Sequence, residues 1–191
     1  MIKELVMKSR SYRGYDESYV LSKEDLEELV DITRYCPSSM NKQPLKYYIA
    51  YQKDKVEAIL QLTKWGGSLP ELHLPFEGTH PTGFIIICQD LTIHKSINTF
   101  SRDAGIVGQM MLLMACEKGL GGLMIGSFQK DKLKELLELP KNIDIHLVLA
   151  IGKPKENIVL CDVEDGDTKY YRDENNTHYV PKRSLEDIVI K

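Results

Sequence analysis

Between Asp103 and Lys118 the chain reads DAGIVGQMMLLMACEK, apolar on nearly every side of a helix. A bilayer span takes about 20 such residues, so this shorter stretch has to be surrounded by protein. It predicts a central helix, or one buried at a subunit interface. Ile106, Val107, Met110, Met111, Leu113 and Met114 fall on more than one face, and a small domain with one core leaves part of them uncovered. A second copy across a two-fold axis is the simplest cover, which predicts a homodimer. At 191 residues and 42% hydrophobic content the chain can bury one sizeable core, and residues 1–191 are expected to form a single domain.

The elements around that helix follow from periodicity. GFIIIC (Gly83 to Cys88) and HLVLAI (His146 to Ile151) read as buried strands, with Lys46 to Tyr51 and the short Leu123 to Ile125 beside them. Ile2 to Met7 is a short helix. Ser22 to Tyr35 is a stronger one, with Ser22 as N-cap, Asp25 completing a capping box, and Leu26, Leu29, Val30 and Thr33 on one stripe. Asp54 to Trp65 and Gln129 to Leu139 are further helices, and Ser184 caps a last short one after a polar turn at Asn175 and Asn176. Gly66 to Pro81, GGSLPELHLPFEGTHP, is a long loop of the kind that covers a site or simply crosses the surface. Helices and strands alternate irregularly, which predicts an α+β sandwich with helices flanking a mixed sheet.

Charge narrows the functions. Lys and Arg number 25 against 28 Asp and Glu, for a net charge of -3 without a basic block, so no nucleic-acid partner is expected and any bound anion is small and local. The Met1 end lacks an apolar run of signal-peptide length, and the chain is expected to be soluble and cytoplasmic with no membrane partner. Cys36, Cys88, Cys116 and Cys161 form no C-x-x-C pair, and His73, His80, His94, His146 and His178 show no ligand spacing. No metal site is expected, and the thiols read as reduced core filler. No Ser-His-Asp or Cys-His set emerges from spacing.

Three short stretches carry chemistry. RSYRGYD sets Arg10, Ser11 and Arg13 together, either a solvated turn or an anion site in which guanidinium forks and a hydroxyl meet phosphate oxygens. CPSSMNKQP, from Cys36 to Pro44, is a rigid turn rich in donors and acceptors. PKRS adds Lys182 and Arg183 near the C-terminus. The glycines of GLGGLMIG, Gly119 to Gly126, miss the Rossmann and P-loop spacings. They serve either close packing on the central helix or the approach of backbone to something flat.

In order and spacing these stretches resemble the nitroreductase family of FMN-dependent oxidoreductases over essentially the whole chain. The resemblance implies a three-layer α/β/α fold with a mixed, mostly antiparallel sheet. It implies that Arg10, Ser11 and Arg13 hold the FMN phosphate and ribityl chain, with Ser9 standing where relatives carry a further base. The turn at Pro37, Ser38, Ser39 and Asn41, followed by Gln43 and Pro44, would approach the flavin of the partner subunit. Leu45 replaces an aromatic frequent after that turn. Ile125 and Gly126 would place backbone N–H near flavin N5, where an acidic residue of some relatives is missing, and Lys182 and Arg183 would close on the phosphate. The implied activity is a ping-pong transfer of hydride from NADH or NADPH to flavin N5 and on to nitroaromatics, quinones or similar electron-poor acceptors. Arg13 would stabilise the reduced flavin, and no side chain need act as acid or base, so no catalytic residue is assigned. Residues 65–81 would wall the substrate side. A non-catalytic FMN-binding or sensing module, or a flavoenzyme of the same fold doing reductive dehalogenation or flavin breakdown, remain the alternative readings.

Overall fold

The computed structural model describes residues 2–67, 69 and 71–190. Ser68 and Pro70 of the expected wall loop, and Met1 of the expected leaderless start, lie outside the described residues. Strands β1 (Leu45–Ala50), β2 (Gly83–Asp90), β3 (Gly121–Ile125) and β4 (Ile143–Gly152) form one sheet in the order β1-β2-β4-β3, antiparallel throughout. Helices α1 (Ile2–Lys8), α2 (Lys23–Asp31), α3 (Lys53–Leu60), α4 (Ile97–Glu117) and α5 (Lys130–Leu136) surround it.

The period of two along β2 builds the three layers. Phe84, Ile86 and Cys88 enter one core with Val56 and Ile59 of α3 and Leu133 of α5. Ile85 and Ile87 enter the other with Leu26 and Leu29 of α2 and Val107 and Met111 of α4. Both faces are covered, which is why GFIIIC reads as a continuous apolar run although the strand is antiparallel. Phe84, Ile85, Ile86 and Ile87 are each fully buried, a stabilisation of about 1.5–3 kcal/mol per side chain. The expected α+β, three-layer architecture is the one observed.

Three expectations are corrected. The central helix begins at Ile97, not Asp103, because the Ser96 hydroxyl caps it by accepting from the Thr99 N–H. It is also covered mostly by its own chain. Two cores exist rather than one, and α1, α2 and the 3-10 turn Ile32–Tyr35 pack on its outer side, so Val107, Met111 and Leu113 are buried while Ile106 and Met110 stay 40% and 36% exposed. Helix α3 stops at Leu60, short of Trp65, since Thr63 leaves to bridge Phe128. Among the four free cysteines Cys88 alone is buried, and burial pushes its thiol up to about 12.

The tail departs most from expectation. The expected polar turn at Asn175 and Asn176 is present, but the strands around it were not read: β5 (Ile158–Asp162), β6 (Tyr171–Arg172) and β7 (His178–Lys182) form a second sheet in the order β5-β7-β6. Its β5·β7 pair is parallel, which makes the fold mixed. Tyr171 and Tyr179 stack across β6 and β7 at 5.1 Å between centroids. The expected final helix is present as α6 (Leu185–Ile188), with a full Ser184–Asp187 capping box.

Candidate functional site

The N-terminal segment lies along the sheet edge. Ser11 bridges Gly122 of β3 in parallel register, and the Tyr12 N–H donates to the Gly122 carbonyl at 3.1 Å. Tyr15, fully buried, anchors the segment's far end and donates its hydroxyl to the Tyr12 carbonyl at 2.8 Å. Arg10 turns back to α1, its Nη2 donating to the Val6 carbonyl at 2.5 Å. Arg13 donates Nη1 to the Ser11 carbonyl at 3.0 Å and lays its guanidinium 5.1 Å from the Tyr170 ring centroid.

The second sheet closes over this segment. Arg10, Ser11 and Arg13 line one side of a cavity of about 150 Å³, and Tyr170, His178 and Lys182 line the other. Its polar groups are incompletely satisfied: Arg10 Nε, Arg13 Nε and both ring nitrogens of His178 are buried with no hydrogen-bond partner. Each such group costs about 1–3 kcal/mol, a penalty a native site relieves when an acceptor enters. Burial, then the nearby Arg172 and Arg13 charges, hold the His178 ring down to about 4, so it is neutral at pH 7. Glu156 supplies the negative charge of the cluster. Its Oε1 pairs with Arg172 Nη2, its Oε2 accepts from the Arg13 backbone N–H at 2.5 Å, and both paired side chains are 6% exposed.

The structure brings together four of the expected site residues: Arg10, Ser11, Arg13 and Lys182. Arg183, next in sequence to Lys182, is exposed beyond β7. Pro37 and Ser38 line a separate cavity of about 160 Å³ with Asp103 and Gln43. There the Ser38 hydroxyl and the Ser39 N–H donate to Asp103 Oδ2, both at 2.8 Å, and the Ser39 hydroxyl to Oδ1 at 2.7 Å. Met40, Asn41 and Gln43 take left-handed backbone, with φ of 53°, 51° and 49°, and Met40 and Asn41 stand on the exposed side. Ile125 is buried at the end of β3, and a Cβ built on Gly126 meets nothing within 4 Å. A larger cavity of about 260 Å³, bounded by Glu17, Tyr51, Lys53 and His80, contains none of these residues.

Reading the sequence missed His178, Glu156, Arg172 and Asp103. Asp103 carried one usable signal, an acid heading an otherwise apolar run. Burial raises its carboxyl pKa, but the Ser39 and Ser38 donors outweigh that and hold it below the ordinary value. Its stabilisation is therefore present above the unfolded-state pKa and lost as pH falls through the folded value. Asp103→Asn turns one acceptor into a donor facing the turn, so a loss of about 1–3 kcal/mol is expected at pH 7, shrinking toward pH 3. Urea unfolding of both proteins at the two pH values checks this, and a gap that ignores pH counts against it.

The profile of the nitroreductase family matches residues 6–69 and 81–153, and the chain belongs to that family. It is 23% identical over 167 residues to an Archaeoglobus fulgidus protein with the provisional name NADH dehydrogenase/NAD(P)H nitroreductase, covering 85% of this chain and 90% of that one. It is 28% identical over 167 residues to a Bacillus subtilis protein named FMN reductase [NAD(P)H], covering 77% and 63%. A Streptococcus pneumoniae nitroreductase family protein superposes with a TM-score of 0.72 at 18% identity, over 100% of both chains. The tail, residues 154–191, lies outside the family match, so His178 and Lys182 come to the site from beyond it. No helix among the described residues is long and apolar enough to cross a membrane.

Proposed function

We propose that residues 1–191 form one flavin-binding domain that uses FMN and NADH or NADPH to reduce nitroaromatics, quinones or similar electron-poor acceptors by ping-pong exchange. The observation that carries the reading is the cavity itself, with three cations, the Ser11 hydroxyl and unpartnered buried nitrogens converging on one space. A phosphate group fits that volume and that chemistry, since guanidinium forks meet phosphate oxygens bidentately. The family and the name FMN reductase borne by the Bacillus subtilis relative point to the same ligand.

FMN, when bound, supplies hydride acceptance from NAD(P)H at N5 and its return to the acceptor. In this reading Arg10, Ser11 and Lys182 neutralise the phosphate, with Arg183 closing from the exposed end of β7. Arg13 offers positive charge toward the side of the flavin that becomes anionic on reduction. Ile125 leads out of the core into Gly126, where an added Cβ meets nothing within 4 Å, room that a flat ring requires. Pro37, Ser38, Ser39 and Asn41 form the turn offered to the flavin of a second subunit. Asp103 fixes the inner side of that turn, so Asn41 is the member left facing outward. The exposed Ile106 and Met110 on α4 support a homodimer built on that helix.

Titration of FMN, riboflavin and FAD, followed by flavin fluorescence, tests the reading. One FMN per subunit is expected, with riboflavin much weaker for want of the phosphate. Arg10→Ala should weaken FMN roughly ten- to a hundredfold, the worth of one charge-assisted contact of about 1.5–3 kcal/mol. The loaded protein should oxidise NADH or NADPH with a nitrofuran or a quinone and sediment as a dimer. Equal affinity for riboflavin and FMN would show that the cavity does not take the phosphate. A flavin-loaded, folded monomer would remove the shared site.

A further inference from the structure

Inside the cavity His178 is the one group whose state the flavin reading leaves open. It is 1% exposed, lies on β7 opposite Arg172 and next in sequence to Tyr179, and has its own ring 5.2 Å from that of Tyr170. Its backbone N–H is held by the Asn157 carbonyl at 2.9 Å, while both ring nitrogens lack partners. A neutral imidazole has one donor and one acceptor, and an imidazolium has two donors. The oxygens of a fully ionised phosphate only accept, so such an anion in this cavity favours the doubly donating form.

The charges facing the ring set the direction. Arg10 and Arg13 face it from the N-terminal segment, Arg172 from β6 and Lys182 from the end of β7, against the single carboxylate of Glu156 from the connection before β5. Four cations and one anion disfavour a further positive charge. A phosphate monoester brings nearly two negative charges at neutral pH and changes that balance.

We propose that His178 is a further ligand of the flavin phosphate and that it takes up one proton from solvent as the phosphate enters, so that FMN binding is coupled to protonation. This rests on the reading that the cavity receives FMN. The empty-site ring, held at about 4, accepts a proton at pH 7 only when the anion raises its basicity. The consequence is an affinity that falls by up to tenfold per pH unit between the ring's empty-site and bound-state values and levels off above the bound-state one.

Calorimetric titration of FMN at pH 7 in two buffers of different ionisation enthalpy reads the proton directly. At that pH free FMN is already about nine-tenths doubly charged, so the ligand itself accounts for only about a tenth of a proton. Uptake approaching one proton per FMN is expected for the wild type, with none for riboflavin. His178→Gln keeps an amide donor of similar size and should bind FMN without that uptake and with affinity flat between pH 7 and 8.5. FMN binding without uptake in the wild type, or uptake unchanged in His178→Gln, overturns the role of His178 and leaves the flavin reading standing. Failure of FMN to bind the folded wild type overturns both.

Discussion

Glu156→Gln is expected to cost about 3–5 kcal/mol of stability, because it removes one partner of a buried ion pair and leaves the other. Arg172 is 6% exposed at its side chain and is neighboured by Arg13 and His178, so no water replaces the lost carboxylate. It also donates to the Asn176 side-chain oxygen at 3.0 Å and backbone carbonyl at 3.4 Å, and lies on the face of Phe76. Gln also introduces a conflict of donors. If its carbonyl oxygen accepts from Arg172, its NH₂ group points at the Arg13 N–H, and the reverse orientation sets that NH₂ against the guanidinium. For a chain of this length each kcal/mol moves Tm by roughly 2–4 °C, so a fall on the order of 10 °C or more is expected. The loss should be local first. Glu156 joins the N-terminal segment to the second sheet, and amides of β5 and β7 should exchange faster than those of β2 or β4. Adding Arg172→Met removes the stranded cation and should recover most of the stability, a coupling that a double-mutant cycle measures. A single variant losing less than about 1 kcal/mol would mean the pair is solvated and does not hold the tail.

The same cluster shows where sequence stops being informative. Helix α2 was legible because Ser22 and Asp25 sit at cap spacing ahead of an apolar stripe, and the reciprocal capping box is present. Strands β2 and β4 were legible because both faces of the main sheet are covered. The second sheet was not, since its strands are two to five residues long and half-exposed, and β7 carries Pro181, a residue that demotes a strand reading. Its pairing of β5 with β7 in parallel spans residues 158 to 182, beyond the reach of local pattern. Arg10, Ser11, Arg13 and Lys182 could be named because cations beside a hydroxyl have a chemistry of their own. His178, Glu156 and Arg172 have none until folding brings them together. The exposed face of α4 fell between these cases: its apolarity was plain, but how much α1 and α2 would cover depended on tertiary packing.

Gly122→Ala and Gly126→Ala should have opposite outcomes, although the two glycines stand four residues apart in one run. At Gly122 an added Cβ would lie 2.4 Å from the Ala150 carbonyl oxygen, 2.6 Å from Leu112 Cδ2 and 2.9 Å from Ile151 Cδ1. Leu112 and Ile151 have rotamers to adopt, but the Ala150 oxygen is backbone of β4, pinned by β2 on its other side. Relief therefore requires β3 to move off β4. That movement carries the N-terminal segment with it, because Ser11 bridges Gly122 and Tyr12 donates to its carbonyl. Overpacking against fixed backbone lies at the upper end of the usual range, about 3 kcal/mol, or roughly 6–12 °C in Tm. At Gly126 the added methyl meets nothing within 4 Å, so stability should stay within about 0.5 kcal/mol. There the change should appear instead as weaker FMN binding, since the proposed function places the flavin ring in that open space. Thermal unfolding without flavin, followed by FMN titration of each variant, separates the two. A Gly122→Ala protein as stable as the wild type would mean β3 is free to slide. A Gly126→Ala protein with undiminished FMN affinity would put the flavin ring elsewhere.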